Sequence, residues 1–188
     1  YIMANPPFNL KDWRGENELS NDPRWSGYDV PPKSNANYGW ILNMVSKLSE
    51  NGVAGFILAN GALSGGGEEY KIRRKLIEND FVEAIIIIPR DTFYTTDISV
   101  TLWILNKNKK QRSSKINNKD KEYRNRKGEI LFMDLRRWGS EYEKKYIELT
   151  KEDIEKVSFN YHNWQQINFE TTYKDVPEFC KSASLEDI

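Results

Sequence analysis

One cysteine and one histidine in 188 residues set the first limits on this chain. Cys180 has no second cysteine to pair with, which excludes an internal disulfide framework. With His162 alone beside it there is no Cys/His set for a structural zinc, and no metal site is expected. Charge of one sign is missing too: 28 Lys+Arg are balanced by 28 Asp+Glu, so no global field draws the chain to nucleic acid or to a membrane surface. No apolar run approaches the roughly 20 residues that span a bilayer, and no charged-then-apolar leader is seen, so the cytoplasm is the expected compartment.

What is present is 30% charged residues, as in a soluble chain, and 13% aromatics, enough bulk for a packed core. The length fits one domain on a prior of roughly 100–200 residues. "YIMA" reads as the end of a strand, and the prolines of "NPPF" forbid further pairing. A long loop rich in Pro, Gly, Asn and Asp follows, carrying Trp13, Trp25 and Tyr28. "NYGWILNMVSKLSENG" has helical spacing through Tyr38, Ile41, Leu42, Val45 and Leu48, with Asn37 as the expected cap. "VAGFILA" is a short buried strand, "NGALSGGG" breaks it, and "EEYKIRRKLIEND" resumes a helix. "FVEAIIIIP" and Ile98 to Leu105 are β-rich strands. This order predicts an α/β sheet, mostly parallel, with an antiparallel return.

Between Lys107 and Lys127 ten Lys/Arg face two acids, which predicts a solvated, flexible excursion. "GEILFMDLR" is one more strand. "LTKEDIEKVSFNYHNW" reads as a helix capped by Thr150, with Asp153 in the capping-box position. The tail "YKDVPEFCKSASLEDI" reads as irregular.

The chemistry is concentrated in Asn5-Pro6-Pro7-Phe8. Such a stretch, placed where a strand ends at the carboxyl edge of an α/β sheet, lies where these sheets bind ligands. Asn5 offers an acceptor oxygen. The Pro6 carbonyl is a second acceptor, aimed by the locked φ of tandem prolines. Two fixed acceptors suit a planar –NH2 group, and Phe8 gives a flat face for its ring. Holding both hydrogens of an aromatic amine pyramidalises the nitrogen and localises its lone pair, and the charge that develops meets preorganised dipoles. A methyl donor with a good leaving group, such as a sulfonium, completes the reaction. A plain Asn-Pro turn beside a core phenylalanine is the alternative.

With the following segments added, the chain resembles the methylation (M) subunit of type I restriction-modification systems, a DNA adenine-N6 methyltransferase family. "ANPPFN" is similar to its catalytic motif, "DPRWSGYDVPPKSNANYGWI" to the insert and helix after it, and residues 51–105 to the second half of its catalytic domain. "YKDVPEFCKSASLEDI" is similar to the segment leading out of that domain. The resemblance implies a Rossmann-like sheet whose first half lies upstream, together with most of the S-adenosylmethionine site. Residues 1–135 would then be the carboxyl-terminal half of the catalytic domain, with 107–127 as its basic excursion, and 136–188 a helical or irregular extension. Such a piece would be silent alone.

By the same resemblance Asn5 and the Pro6 carbonyl hold the amine of an adenine flipped out of the duplex. Pro7 completes the motif, and Phe8 stacks on the base. Phe93, or its neighbour Tyr94, covers the other face, unless Phe93 is only a plug at a strand entrance. Asn5 is the one residue here expected near the cofactor. The implied partners are double-stranded DNA, a specificity (S) subunit, a restriction (R) subunit and a second M subunit, in a bacterial or archaeal cytoplasm with no membrane. Alternatives are transfer to another planar group (cytosine N4, an RNA base, a protein glutamine) and a non-catalytic assembly module. "SGGGEE" at Ser64–Glu69 reads as a flexible turn, Lys71–Leu76 as a wet helix face, and Trp13, Trp25 and Tyr28 as loop anchors or as walls of a base or partner site.

Overall fold

A computed structural model describes residues 1–94, 96–116, 118–167 and 169–188. In chain order the elements are β1 (Ile2–Ala4), α1 (Asn37–Lys47), β2 (Val53–Ala59), α2 (Gly67–Glu78), β3 (Val82–Ile87), β4 (Val100–Asn106), β5 (Arg112–Ile116), β6 (Lys119–Tyr123), β7 (Glu129–Asp134), β8 (Ser140–Tyr142), β9 (Tyr146–Glu148), α3 (Lys151–Gln165) and β10 (Cys180–Ser184). The class is α/β, as the alternation of apolar runs and helical spacing predicts. Among the described residues no helix is long and apolar enough to cross a membrane.

The chain divides into two compact units. The first, residues 1–82 and 100–108, contains β1, β2 and β4 with α1 and α2. β1 runs parallel to β2, with Ala4 opposite Phe56. β4 returns antiparallel along all of β2, from Val53 opposite Asn106 to Ala59 opposite Val100. That is the expected return strand. The core consists of Phe56, Leu58 and Leu105 from the strands, Tyr38, Ile41 and Leu42 from α1, and Ile72 and Leu76 from α2, all with no exposed surface. At roughly 1.5–3 kcal/mol for each large apolar side chain, this burial dominates the unit's stability.

The second unit, residues 83–99 and 109–188, places β7 between β3, parallel to it, and β10, antiparallel. Here two expectations are corrected. The tail is not irregular: Cys180 to Ser184 pair with Met133 to Glu129. Nor is the basic run a wholly solvated excursion. β5 and β6 form an antiparallel hairpin, with Arg112 opposite Tyr123 and Lys115 opposite Asp120, while Asn117 of that run lies outside the described residues. Arg126 is wholly buried, Lys109 donates to the Glu129 carbonyl and Arg124 pairs with Glu129 at 2.7 Å. Cations in a polar run look solvated in sequence, but several here are spent on the fold.

α3 begins as predicted. The Thr150 hydroxyl accepts from the Asp153 N–H at 3.1 Å, and the Asp153 carboxylate accepts from the Thr150 N–H at 2.8 Å. Aspartate therefore closes the capping box that glutamate usually completes.

Candidate active site

β1 stops at Ala4, while its parallel neighbour β2 runs on to Ala59. Proline has no N–H to donate, so the ladder ends where Pro6 and Pro7 begin. Asn5 is exposed at that carboxyl edge. Its side chain and the Pro6 carbonyl make no hydrogen bond with any described residue. Phe8 is half-buried and stacks on no other ring among the described residues. Two acceptors and one aromatic face thus stand open on a short, braced loop.

The brace was missed in the sequence, although its signal is the second asparagine of "NPPFN". Asn9 adopts φ 53°, a left-handed conformation that asparagine tolerates. Its N–H donates to Asn37 Oδ1 at 3.1 Å, and Asn37 Nδ2 donates back to Asn9 Oδ1 at 2.9 Å. Asn37 is 1% exposed, so its end of this reciprocal pair is sheltered from water, while Asn9 lies at the surface. Each such bond contributes about 1 kcal/mol net. Asn37 is consequently not the helix cap. It is the first residue of α1, and Asn35 Oδ1 accepts its N–H at 2.9 Å.

The loop aromatics act as anchors. Trp25 is 3% exposed and donates to the Leu19 carbonyl at 2.8 Å. Trp13 meets Trp25 edge-on, with centroids 6.2 Å apart, and donates to the Pro32 carbonyl. Its ring lies against Gly39 of α1, where a Cβ would come within 3.0 Å of it. Tyr28 accepts from Asn79 Nδ2 at 2.9 Å. The long connection is therefore held to α1 and α2 rather than left open as a wall.

At the end of β2, Asn60 opens a short 3-10 turn, Asn60–Leu63. Its Oδ1 accepts from the Thr101 hydroxyl of β4 at 2.8 Å. The Tyr38 hydroxyl donates to the Ala62 carbonyl at 2.7 Å, and burial pushes its pKa up to about 12. Arg73 Nη1 donates to the Gly65 carbonyl at 3.0 Å. The glycine turn is no anion cradle: a Cβ on Gly65 would fall 1.8 Å from a Glu69 carboxylate oxygen, so a negative group already fills the space. Burial raises the pKa of Glu69, against the pull of Arg73.

The second unit carries Phe93 and Tyr94. The Thr96 N–H donates to the Phe93 carbonyl at 3.3 Å in a tight turn. Tyr94 is 67% exposed and meets Tyr146 of β9 edge-on, with centroids 4.6 Å apart. The Ile147 N–H donates to the Asp91 carbonyl at 3.0 Å, docking the β8–β9 hairpin on this turn. Phe93, Tyr94, Tyr146, Lys145 and Asp97 line a cleft of about 250 Å³. The structure thus gathers Asn5, Pro6, Pro7 and Phe8 in one unit and Phe93 with Tyr94 in the other. Among the described residues no group of His, Cys, Asp and Glu could hold a metal ion.

Asn-Pro-Pro-Phe thus stands at the carboxyl end of a strand in an α/β sheet, and comparison with known proteins gives the family. The N-6 DNA methylase family matches residues 1–188, and the chain belongs to that family. It is 40% identical over its whole length to the HindI type I restriction enzyme methylase subunit of Haemophilus influenzae, covering 38% of that protein. It is 34% identical to the MjaIX methylase subunit of Methanocaldococcus jannaschii, covering 32%. Among solved structures it is similar to the methyltransferase subunit of a type I restriction-modification system from Streptococcus thermophilus. There the identity is 27% and the TM-score 0.79, over 99% of this chain and 34% of that one. The chain therefore spans about a third of the length of these relatives.

Proposed function

We propose that the protein containing these residues is the DNA-methylating subunit of a type I restriction-modification system, which transfers a methyl group to N6 of a flipped-out adenine. The observation that carries the reading is the pair of unengaged acceptors, Asn5 Oδ1 and the Pro6 carbonyl, in a chain matched end to end by the N-6 DNA methylase family. Asn5 and Pro6 take the two amine hydrogens, Pro7 keeps the Pro6 carbonyl turned out of the strand, and Phe8 stacks on the base. As the nitrogen takes up the methyl group, whose bond to the donor's sulfonium would break, positive charge grows on it and the two oxygen dipoles stabilise that charge; the extra proton is then released to water. For the second aromatic cover we propose Phe93, with Tyr94 as its near alternative, on the strength of the family resemblance.

S-adenosylmethionine supplies the methyl group when bound. Among the described residues we assign Asn5 to its edge; the glycine turn is already occupied by Glu69. The rest of its site is assigned to other parts of the full-length protein. The domain assignment follows: 1–135 as the later half of the catalytic domain and 136–188 as the segment leading out. Double-stranded DNA, a specificity subunit, a restriction subunit and a second methylating subunit are the proposed partners, in the cytoplasm.

The test is methyl transfer from labelled S-adenosylmethionine into duplex DNA by the full-length protein with its specificity partner, followed by nucleoside digestion. Label in N6-methyladenine is expected. Label in N4-methylcytosine, or none in DNA, contradicts the reading.

A further inference from the structure

A third fixed polar group stands at the same sheet edge as Asn5. Asn60 directly follows β2, the parallel neighbour of β1. Thr101, opposite Leu58 on β4, is wholly buried. Its hydroxyl has one partner among the described residues, Asn60 Oδ1 at 2.8 Å. That single contact fixes the carboxamide. A buried hydroxyl proton with no acceptor is costly, so the proton must go to Asn60, and the oxygen of the amide must face Thr101. The nitrogen then faces the other way. Asn60 is half-exposed, and Nδ2 donates to no described residue. The edge therefore offers two acceptors on β1's continuation and one oriented donor on β2's.

We infer that Asn60 is a specificity-determining residue, whose Nδ2 donates to a ring nitrogen flanking the amine held by Asn5 and Pro6. The inference rests on the adenine reading above and deepens it. In adenine the amine carbon lies between N1 and C5, with N7 on the adjoining ring, and both nitrogens are acceptors. One donor at the same sheet edge as two acceptors matches that pattern. In guanine the carbon at that position bears a carbonyl, so the two acceptors would meet an acceptor; its N1 carries a hydrogen, so a donor set against N1 would meet a donor, whereas one set against N7 would still find an acceptor. Asn60 thereby separates substrates by leaving the wrong ones with unpaired polar groups, and Thr101 is its positioning residue.

The experiment uses the full-length methylating subunit with its specificity partner, on duplexes whose mapped target adenine is replaced by 1-deazaadenine or by 7-deazaadenine. Single-turnover rates and DNA affinity are measured for the native protein, Asn60→Ala, Asn60→Ala with Thr101→Val, and Asn5→Ala. The double variant removes the buried hydroxyl that Asn60→Ala would leave unpaired, so a folding defect is separated from a lost contact. The native protein should lose about tenfold or more on one of the two analogues. Both Asn60 variants should lose a similar factor on adenine and nothing further on that analogue. If the native protein treats both analogues like adenine, or if discrimination survives in both Asn60 variants, the inference is overturned. Full activity of Asn5→Ala would instead remove the adenine reading beneath it.

Discussion

Asn5 and Glu83 are both polar residues at the ends of apolar β-strands, and the molecule treats them in opposite ways. Asn5 follows β1, is exposed, and its side chain bonds to no described residue. Glu83, second residue of β3, has no exposed surface. One of its oxygens receives Gln165 Nε2 at 2.5 Å and the Tyr161 hydroxyl at 3.4 Å, with Arg126 Nε also 3.4 Å away. Arg126, equally buried, lies over the rings of Tyr123 and Trp164, 5.5 and 5.7 Å from their centroids. Burial lowers the pKa of Arg126 against the attraction of Glu83, and raises that of Tyr161. Around Glu83 polar side chains turn towards one another and hold α3 and the basic segment to the sheet. At Asn5 they are left open on a braced loop, which is what a site must do to bind anything.

The contrast can be broken from either side. The largest stability effect belongs to Arg126→Ala, which strands a buried carboxylate and should cost about 3–5 kcal/mol, read by denaturant unfolding. Replacing Glu83 and Arg126 together by apolar residues of similar volume should cost far less, because no unpaired charge remains. Phe8→Ala should leave stability nearly unchanged while weakening capture of the flipped base by about 1–3 kcal/mol, read with a fluorescent base at the target position. Thr150→Ala removes one half of the α3 capping box and should cost about 1 kcal/mol. A further effect is a slope in alkaline solution. The phenol of Tyr38 titrates at 10 in the unfolded chain and at about 12 in the folded one. Its contribution is therefore complete below pH 10 and lost as the pH rises towards 12. Tyr38→Phe should flatten that limb of the stability profile.

Much of the first unit was legible, because its signals are local. Tandem proline ends β1, "VAGFILA" has the length and apolarity of β2, and Asn5 with Pro6 announces its acceptors through residue type alone. Thr150 with Asp153 likewise marks the start of α3. What escaped depends on partners distant in the chain. β10, "CKSAS", has little β propensity of its own and forms because β7 offers a free edge in register with it. The hairpin of β5 and β6 reads as a lysine tract until its strands pair. A lone acid in the run "VEAIIII" was a clue that some cation must be buried, but nothing in the sequence singles out Arg126 among ten candidates. Helix-start statistics favour Asn37 as a cap, whereas Ala36 holds the cap position, Asn35 Oδ1 accepts the first helical N–H and Asn37 reaches back to Asn9.

The central claim is that Asn5 is kept open for catalysis and contributes nothing to the fold. It is tested most directly by measuring single-turnover methyl transfer and unfolding on the same preparation of full-length Asn5→Ala protein. The rate should fall on the order of 10²–10³-fold, as for loss of a preorganised dipole at a developing charge, while stability changes by less than about 0.5 kcal/mol. A rate within a few fold of the native protein, or a rate loss matched by unfolding, would contradict it.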